Sequence, residues 1–233
     1  VAANLTKYNV GSGRWQRPAD AACVILVPGQ VETDASIKYG SPVVRRNMDL
    51  LKAVRAANPD AYVVYKPHPD VVAGLRDAGQ NEQQALDWCN EIVVDYPIGE
   101  LFAVVDEVHV LTSLAGFEAL LRGRKVVTFG QPFYSGWGLT QDVNPVARRD
   151  RTLSLDELVA GVLILYPSYV SRRSGRYTTP ESALDELLLA RASHILATEV
   201  AGIAGWRYLS ERAHLDIIEV YKRPILRDGH SKY

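Results

Sequence analysis

Cysteine and methionine are almost missing from this chain. Cys23 and Cys89 are the only thiols, and they fall in separate predicted elements, one a strand and one a helix. Two thiols placed so make neither a disulfide framework nor a thiolate metal site; they read as reduced core residues of a cytoplasmic protein. Long apolar runs are missing too, since none approaches 18 residues, so no membrane-spanning helix is expected. The opening residues lack a signal-peptide pattern. An excess of charge of one sign is also absent: 26 Lys and Arg face 27 Asp and Glu, which leaves no basic footprint for nucleic acid. Four motif absences narrow the chemistry further. Without G-x-G-x-x-G after the first strand, or G-x-x-x-x-G-K-[ST] anywhere, a dinucleotide or P-loop site is not indicated. Without D-x-D, a transferase that grips a sugar diphosphate through a divalent ion is disfavoured. Without G-x-S-x-G, an α/β-hydrolase is unsupported. The five histidines are scattered, so no metal site is expected, and His109, inside a predicted strand, reads as structural.

What is present is a globular composition, 47% apolar over 233 residues, enough for one large or two small cores. Because the sequence begins at Val1 and its one methionine is Met48, the expectation is a fragment or processed piece. Residues 1–20 read as an irregular lead-in. The continuous apolar run at 23–27 has the pattern of a strand buried on both faces, and 61–65, 91–94, 108–111 and 125–129 read as further strands. Apolar positions Val44, Met48, Leu51 and Val54 have helical spacing, and helical stretches are expected near 71–76, 82–89 and 98–105. The alternation predicts an open parallel sheet with helices on both faces, residues 21–145 forming the lobe. A capping box at Ser154 and Glu157 opens a helix to about Tyr166, and Thr179-Pro180 opens another to about Ala197. Residues 146–197 are expected to pack on the lobe as trailing helices. Residues 198–233 form a tail with a helix near 206–220.

Ligands in such sheets sit at the carboxyl ends of the strands. Those ends carry Gly29-Gln30, His68-Pro69, Thr112-Ser113 and Gly130-Gln131. Thr112-Ser113 at a helix start offers backbone N–H groups and two hydroxyls to a phosphate. Gly116 lies in that helix's first turn, and Glu118 just beyond it can reach the hydroxyls of a bound sugar. The alternative is an ordinary helix cap. His68, between Pro67 and Pro69, stands on stiff extended backbone beside Lys66, placed to meet a phosphate oxygen. Asp34 faces the same edge as a base, a nucleophile or a hydroxyl acceptor, unless it is simply solvated. Tyr134 and Trp137, with Phe133 in a Gly-rich loop, either wall a sugar or base or pack the loop onto the helices behind it. The arginines at 148–151 and 172–176 face an acidic acceptor or an anionic membrane surface, or are solvated.

Read together, PGQVETDAS (28–36), YKPHPD (65–70), TSLAGFEALLRG (112–123) and GQPFYSGWGLT (130–140) resemble the capsule polysaccharide biosynthesis family of KpsC and LipB type. The later stretches at 148–159 and 165–170 fit as well, so the resemblance covers roughly residues 1–190, and the first two blocks look more like the C-terminal of the family's two modules. The resemblance implies a GT-B fold of two Rossmann-like lobes, of which this chain would be mostly the nucleotide-binding one, the N-terminal lobe being absent. It implies a retaining β-Kdo glycosyltransferase that uses CMP-Kdo to build a Kdo linker on a phosphatidylglycerol-type lipid. Such an enzyme would be cytoplasmic, peripheral at the inner membrane, and free of any metal or other cofactor. By the same analogy His68-Pro69 and Thr112-Ser113 take the donor phosphate and Glu118 the ribose or cytosine. Lys66 would add charge, and Gln30 or a basic side chain would hold the Kdo carboxylate. A non-catalytic nucleotide-binding or docking module of a capsule assembly complex is the competing expectation, and a sugar-nucleotide epimerase a third.

Overall fold

The computed structural model describes residues 13–200 together with 2, 3 and 6, with side chains as far as Ala192. The expected helix near 206–220, the tail and most of residues 1–12 lie outside the described residues. The chain divides after Tyr166 into units of residues 1–166 and 167–233.

In the first unit the strands β1 (Val24–Pro28), β2 (Tyr62–Lys66), β3 (Glu91–Ile92), β4 (Glu107–Val110), β5 (Lys125–Thr128) and β6 (Gln141–Asp142) form one sheet. Every pairing is parallel, and the order is β3-β2-β1-β4-β5-β6. The apolar runs become strands because each has a helical layer on both sides. Along β1, Val24 and Leu26 face one core, while Ile25 and Val27 face the other, and all four are fully buried. Burying each such side chain is worth about 1.5–3 kcal/mol, which makes β1 the strand with the least freedom to slip register.

Helices α4 (Ile98–Val104) and α5 (Leu114–Leu120) cover one face through Leu101, Phe102 and Phe117. Helices α1 (Ala35–Gly40) and α2 (Asn47–Ala57) cover the other through Ile37, Met48, Leu51 and Val54. The short α3 (Pro69–Val72) follows β2, and a 3₁₀ turn spans Glu82–Asp87. Helix α6 (Leu155–Val159) starts on the expected capping box and continues as a π-helical turn to Leu165. Leu158 is buried in the core under α4 and α5, so this stretch is part of the lobe. The structure differs from the sequence reading in several elements: α1 stands where a polar loop was expected, β6 and the hairpin strands at 169–170 and 177–178 were not anticipated, and the 3₁₀ turn leaves Cys89 outside any helix.

The second unit opens with an antiparallel hairpin of β7 (Tyr169–Val170) and β8 (Tyr177–Thr178), followed by α7 (Pro180–Val200). The Glu186 carboxylate orders the hairpin loop, accepting from Ser171 Oγ at 2.6 Å and from the Arg172 N–H at 2.8 Å. Arg172, Arg173 and Arg176 stand exposed around that loop.

Candidate functional site

The strand order puts β1 beside both β2 and β4. The chain leaves β1 toward β2 on one side and later returns to β4 on the other, so the segments after β1 and β4 part and leave a crevice between them. A cavity of about 250 Å³ opens there. Its wall includes Gln30, Asp34, Lys66, His68, Pro69, Thr112, Ser113 and Glu118, contributed by the ends of three strands and the start of α5. Pro67, Ile98 and Leu114 add apolar surface. Three of the four expected strand ends therefore converge. The fourth, Gly130-Gln131, does not reach the cavity wall, because the Gln131 N–H is tied to the Gly40 carbonyl at 2.6 Å.

His68 caps α3 from an extended backbone (φ −65°, ψ 133°), with Pro69 at the first helical position. Its Nδ1 accepts the Asp70 N–H at 3.2 Å. A ring nitrogen that accepts a backbone proton carries none of its own, so the neutral ring's hydrogen sits on Nε2 as a donor. The same Nδ1 lies 4.0 Å from the Asp70 carboxylate. Ser113 caps α5, and its Oγ accepts the Ala115 N–H at 3.2 Å, which leaves the hydroxyl proton to be given elsewhere. Asp34 is paired with Arg76 at 2.8 Å, and both are partly exposed.

Lys66 is buried, and its Nζ donates to the Val94 carbonyl at 2.8 Å. Burial brings its pKa down to about 8, against an opposing pull from Asp95. Between pH 8 and 10.5 the unfolded chain holds this proton and the folded chain does not. The group therefore adds stability as pH rises through that window. Its effect on an anionic ligand has the opposite sign: the charge is present below pH 8 and lost above it. The dissociation constant of an anionic ligand bound at Lys66 is expected to climb steadily above about pH 8 as that charge is lost. Lys66→Met should flatten the climb, and calorimetric titrations from pH 6.5 to 9.5 check both.

Four of the expected ligand contacts are tied into the chain. Gln30 lines the cavity, and its amide is bonded to Thr112: Oε1 accepts the Thr112 N–H at 2.9 Å and one Nε2 hydrogen is donated to Thr112 Oγ1 at 3.1 Å. Only the second Nε2 hydrogen can be offered to a sugar carboxylate while that pair stays intact. Tyr134 is fully buried beneath α5, with its hydroxyl donating to the Ser113 carbonyl. Gly116 does not line the cavity; a Cβ there would collide with the Tyr134 hydroxyl, so its absent side chain makes room for that ring. Trp137 is turned to the loop, its Nε1 donating to the Phe133 carbonyl at 2.8 Å. Tyr134 thus takes the packing alternative, while Phe133 stays 42% exposed. Arg149, too, is structural: it donates to the Pro132 and Ser135 carbonyls and lies over the Trp137 ring. The missed residue is Asn47. Its signal was in the sequence, a polar side chain on the same helical stripe as Val44, Met48, Leu51 and Val54. Among the described residues no group of three or more His, Cys, Asp or Glu side chains could hold a metal ion, and no helix is long and apolar enough to cross a membrane.

A doubly wound parallel sheet with hydrogen-bond donors gathered at its switch point defines a Rossmann-like ligand-binding lobe. The chain belongs to the capsule polysaccharide biosynthesis protein family, whose model matches residues 13–169. It is 50% identical over 185 residues to the capsule polysaccharide modification protein LipA of Neisseria meningitidis serogroup A, covering 79% of this chain and 26% of LipA. It is 45% identical over 190 residues to the lipopolysaccharide-processing protein LpsZ of Rhizobium meliloti, covering 80% of this chain and 43% of LpsZ. Among solved structures it is similar to the KpsC β-Kdo 2,7 transferase of Thermosulfurimonas dismutans, with 50% identity and a TM-score of 0.69 over 75% of this chain and 55% of that one. The β-Kdo 2,4 transferase of the same KpsC is similar at 27% identity and a TM-score of 0.65, over 76% of this chain and 56% of that one. The chain thus spans about a quarter of LipA and just over half of each solved transferase.

Proposed function

We propose that this chain is the donor-binding lobe of a Kdo transferase of capsule polysaccharide synthesis, taking CMP-Kdo as donor. The observation that carries the reading is the convergence of Lys66, His68, Ser113 and Glu118 on one cavity, in a chain half identical to a β-Kdo 2,7 transferase. When the bond from Kdo C2 to the phosphate oxygen breaks, the electron pair leaves with CMP. His68 Nε2–H, the Ser113 hydroxyl and the Lys66 ammonium meet the charge where it grows. One phosphate needs less neutralisation than two, and these groups supply it without a metal. Glu118 accepts from ribose or cytosine. Asp34, held by Arg76, accepts a hydroxyl proton at the sugar end. The cavity is somewhat smaller than the roughly 300–1,000 Å³ of most ligand sites. It houses the phosphate and its neighbours, and a second Rossmann-like lobe closes over the rest in a GT-B arrangement.

The reaction retains anomeric configuration, and the acceptor is a Kdo-terminated glycolipid on a phosphatidylglycerol-type lipid at the inner membrane. The higher identity to the 2,7 than to the 2,4 transferase favours a β-2,7 linkage. The test is to incubate the intact gene product with CMP-Kdo and a Kdo-terminated acceptor. CMP release and a mass gain of one Kdo, with the linkage read by NMR, are expected. CMP binding without transfer would point to a docking module, and turnover of UDP-sugars to an epimerase; either contradicts the proposal.

A further inference from the structure

We infer that Asn47 and Gln30 form a positioning relay that holds the Thr112–Ser113 rim of the cavity in register with the His68 rim, and that donor affinity depends on it. The inference rests on the reading of the cavity as a phosphate-bearing donor site.

The paired register of β1 and β4 covers only Ile25 with Glu107 and Leu26 with Val108. On the other flank, β1 stays paired with β2 as far as Pro28 and Lys66, and the Gly29 N–H donates to the Lys66 carbonyl at 2.8 Å. The Lys66–His68 rim is thus fixed to the end of β1 by backbone bonds. The Thr112–Ser113 rim is joined to it by the Gln30 side chain, through the two bonds to Thr112. Gln30 is itself clamped from the helical layer. Asn47 Nδ2 donates to the Gln30 carbonyl at 2.9 Å, and Asn47 Oδ1 accepts the Gln30 N–H at 3.0 Å. The remaining Asn47 groups are engaged as well, Nδ2 with Glu82 Oε1 and the N–H with Glu32 Oε1, each at 2.8 Å. Asn47 is 1% exposed and Gln30 8%. Two nearly waterless amides in series, each with donor and acceptor satisfied, hold one geometry, because any other leaves buried polar atoms unpaired.

The relay acts by setting the distance from the Ser113 hydroxyl to His68. A displacement of about 1 Å in such a placement costs as much as about 100-fold. Gln30→Leu breaks the link to Thr112, and Asn47→Ala releases Gln30. Gln30→Glu can keep both bonds, since one oxygen accepts the Thr112 N–H and the other its hydroxyl proton, but it adds a negative charge beside the anion.

The experiment is calorimetric titration of the intact protein with CMP, paired with hydrogen exchange at the Thr112 amide. Leu51→Ala, in the α2 core and outside the relay, serves as a stability-matched control. Gln30→Leu and Asn47→Ala should each weaken CMP about 10- to 100-fold, and the double variant should be no weaker than Gln30→Leu, because the two act in series. Thr112 exchange should speed up in both, and Leu51→Ala should bind CMP as the parent does. Gln30→Glu should keep slow exchange yet bind CMP poorly. Parent-like affinity in Gln30→Leu, additive losses, or an equal loss in Leu51→Ala would overturn the relay. If the parent protein binds no CMP, the donor reading fails instead, and the Thr112 exchange rates still decide whether the relay exists.

Discussion

His68→Ala is expected to lower Kdo transfer by about two to three orders of magnitude, the usual cost of removing one preorganised donor from a developing anion. The reason is local. The ring's Nδ1 accepts the Asp70 N–H and the imidazole lines the cavity, so Nε2 is the atom assigned to the phosphate. Removing the ring also removes the cap of α3. That helix is four residues long and buries none of them, so the stability cost is at most about 1 kcal/mol. Rate and fold are therefore separable: the CMP-release rate collapses while the melting temperature moves little. His68→Gln, whose amide can place a donor near the Nε2 position, should recover part of the loss. A His68→Ala enzyme within threefold of the parent rate would remove the imidazole from the mechanism.

Gly116→Ala should have the largest effect on folding. An added methyl would collide with the Tyr134 hydroxyl and lie 2.8 Å from its ring carbon Cζ, and Tyr134 has no room to retreat because it is fully buried between Phe117 and Phe133. Overpacking of this kind costs about 3 kcal/mol, and the strain falls on the carbonyl of Ser113, which the phenol holds. Tyr134→Phe alone should cost about 1 kcal/mol, the loss of one hydrogen bond. In the double variant the clash eases, so the combined loss should be clearly less than the sum of the two. Urea unfolding of the four proteins gives the cycle. Strict additivity would mean that Gly116 and Tyr134 do not press on each other.

The strands of the lobe were legible because their segments are short and rich in buried β-branched residues, most continuously in β1 and β2, and are bounded by turn residues. Their ends were misjudged by a residue or so, as with β1, observed at Val24–Pro28 rather than 23–27. Strand β6 was illegible because Gln141 and Asp142 owe their conformation to distant partners. Asp142 accepts from Thr128 Oγ1, Thr140 Oγ1 and the Gly136 N–H. Gathering at one edge was predictable for Lys66, His68, Thr112 and Ser113, since parallel strands bring their carboxyl ends together. Which of the edge groups are free for a ligand was not. Gln30 and Tyr134 look like ligand groups in the sequence and are engaged with the chain, and only their hydrogen-bond partners reveal it. Asn47 shows the reverse case, a polar residue hidden in an apolar helix face that acts through its neighbours.

The reading of the cavity is tested most directly by a crystal structure of the intact protein with CMP. The phosphate should lie within hydrogen-bond distance of His68 Nε2 and Ser113 Oγ and near Lys66 Nζ, with the Gln30–Thr112 pair unbroken. A nucleotide bound elsewhere on the lobe, or a phosphate that touches neither His68 nor Ser113, would contradict the account.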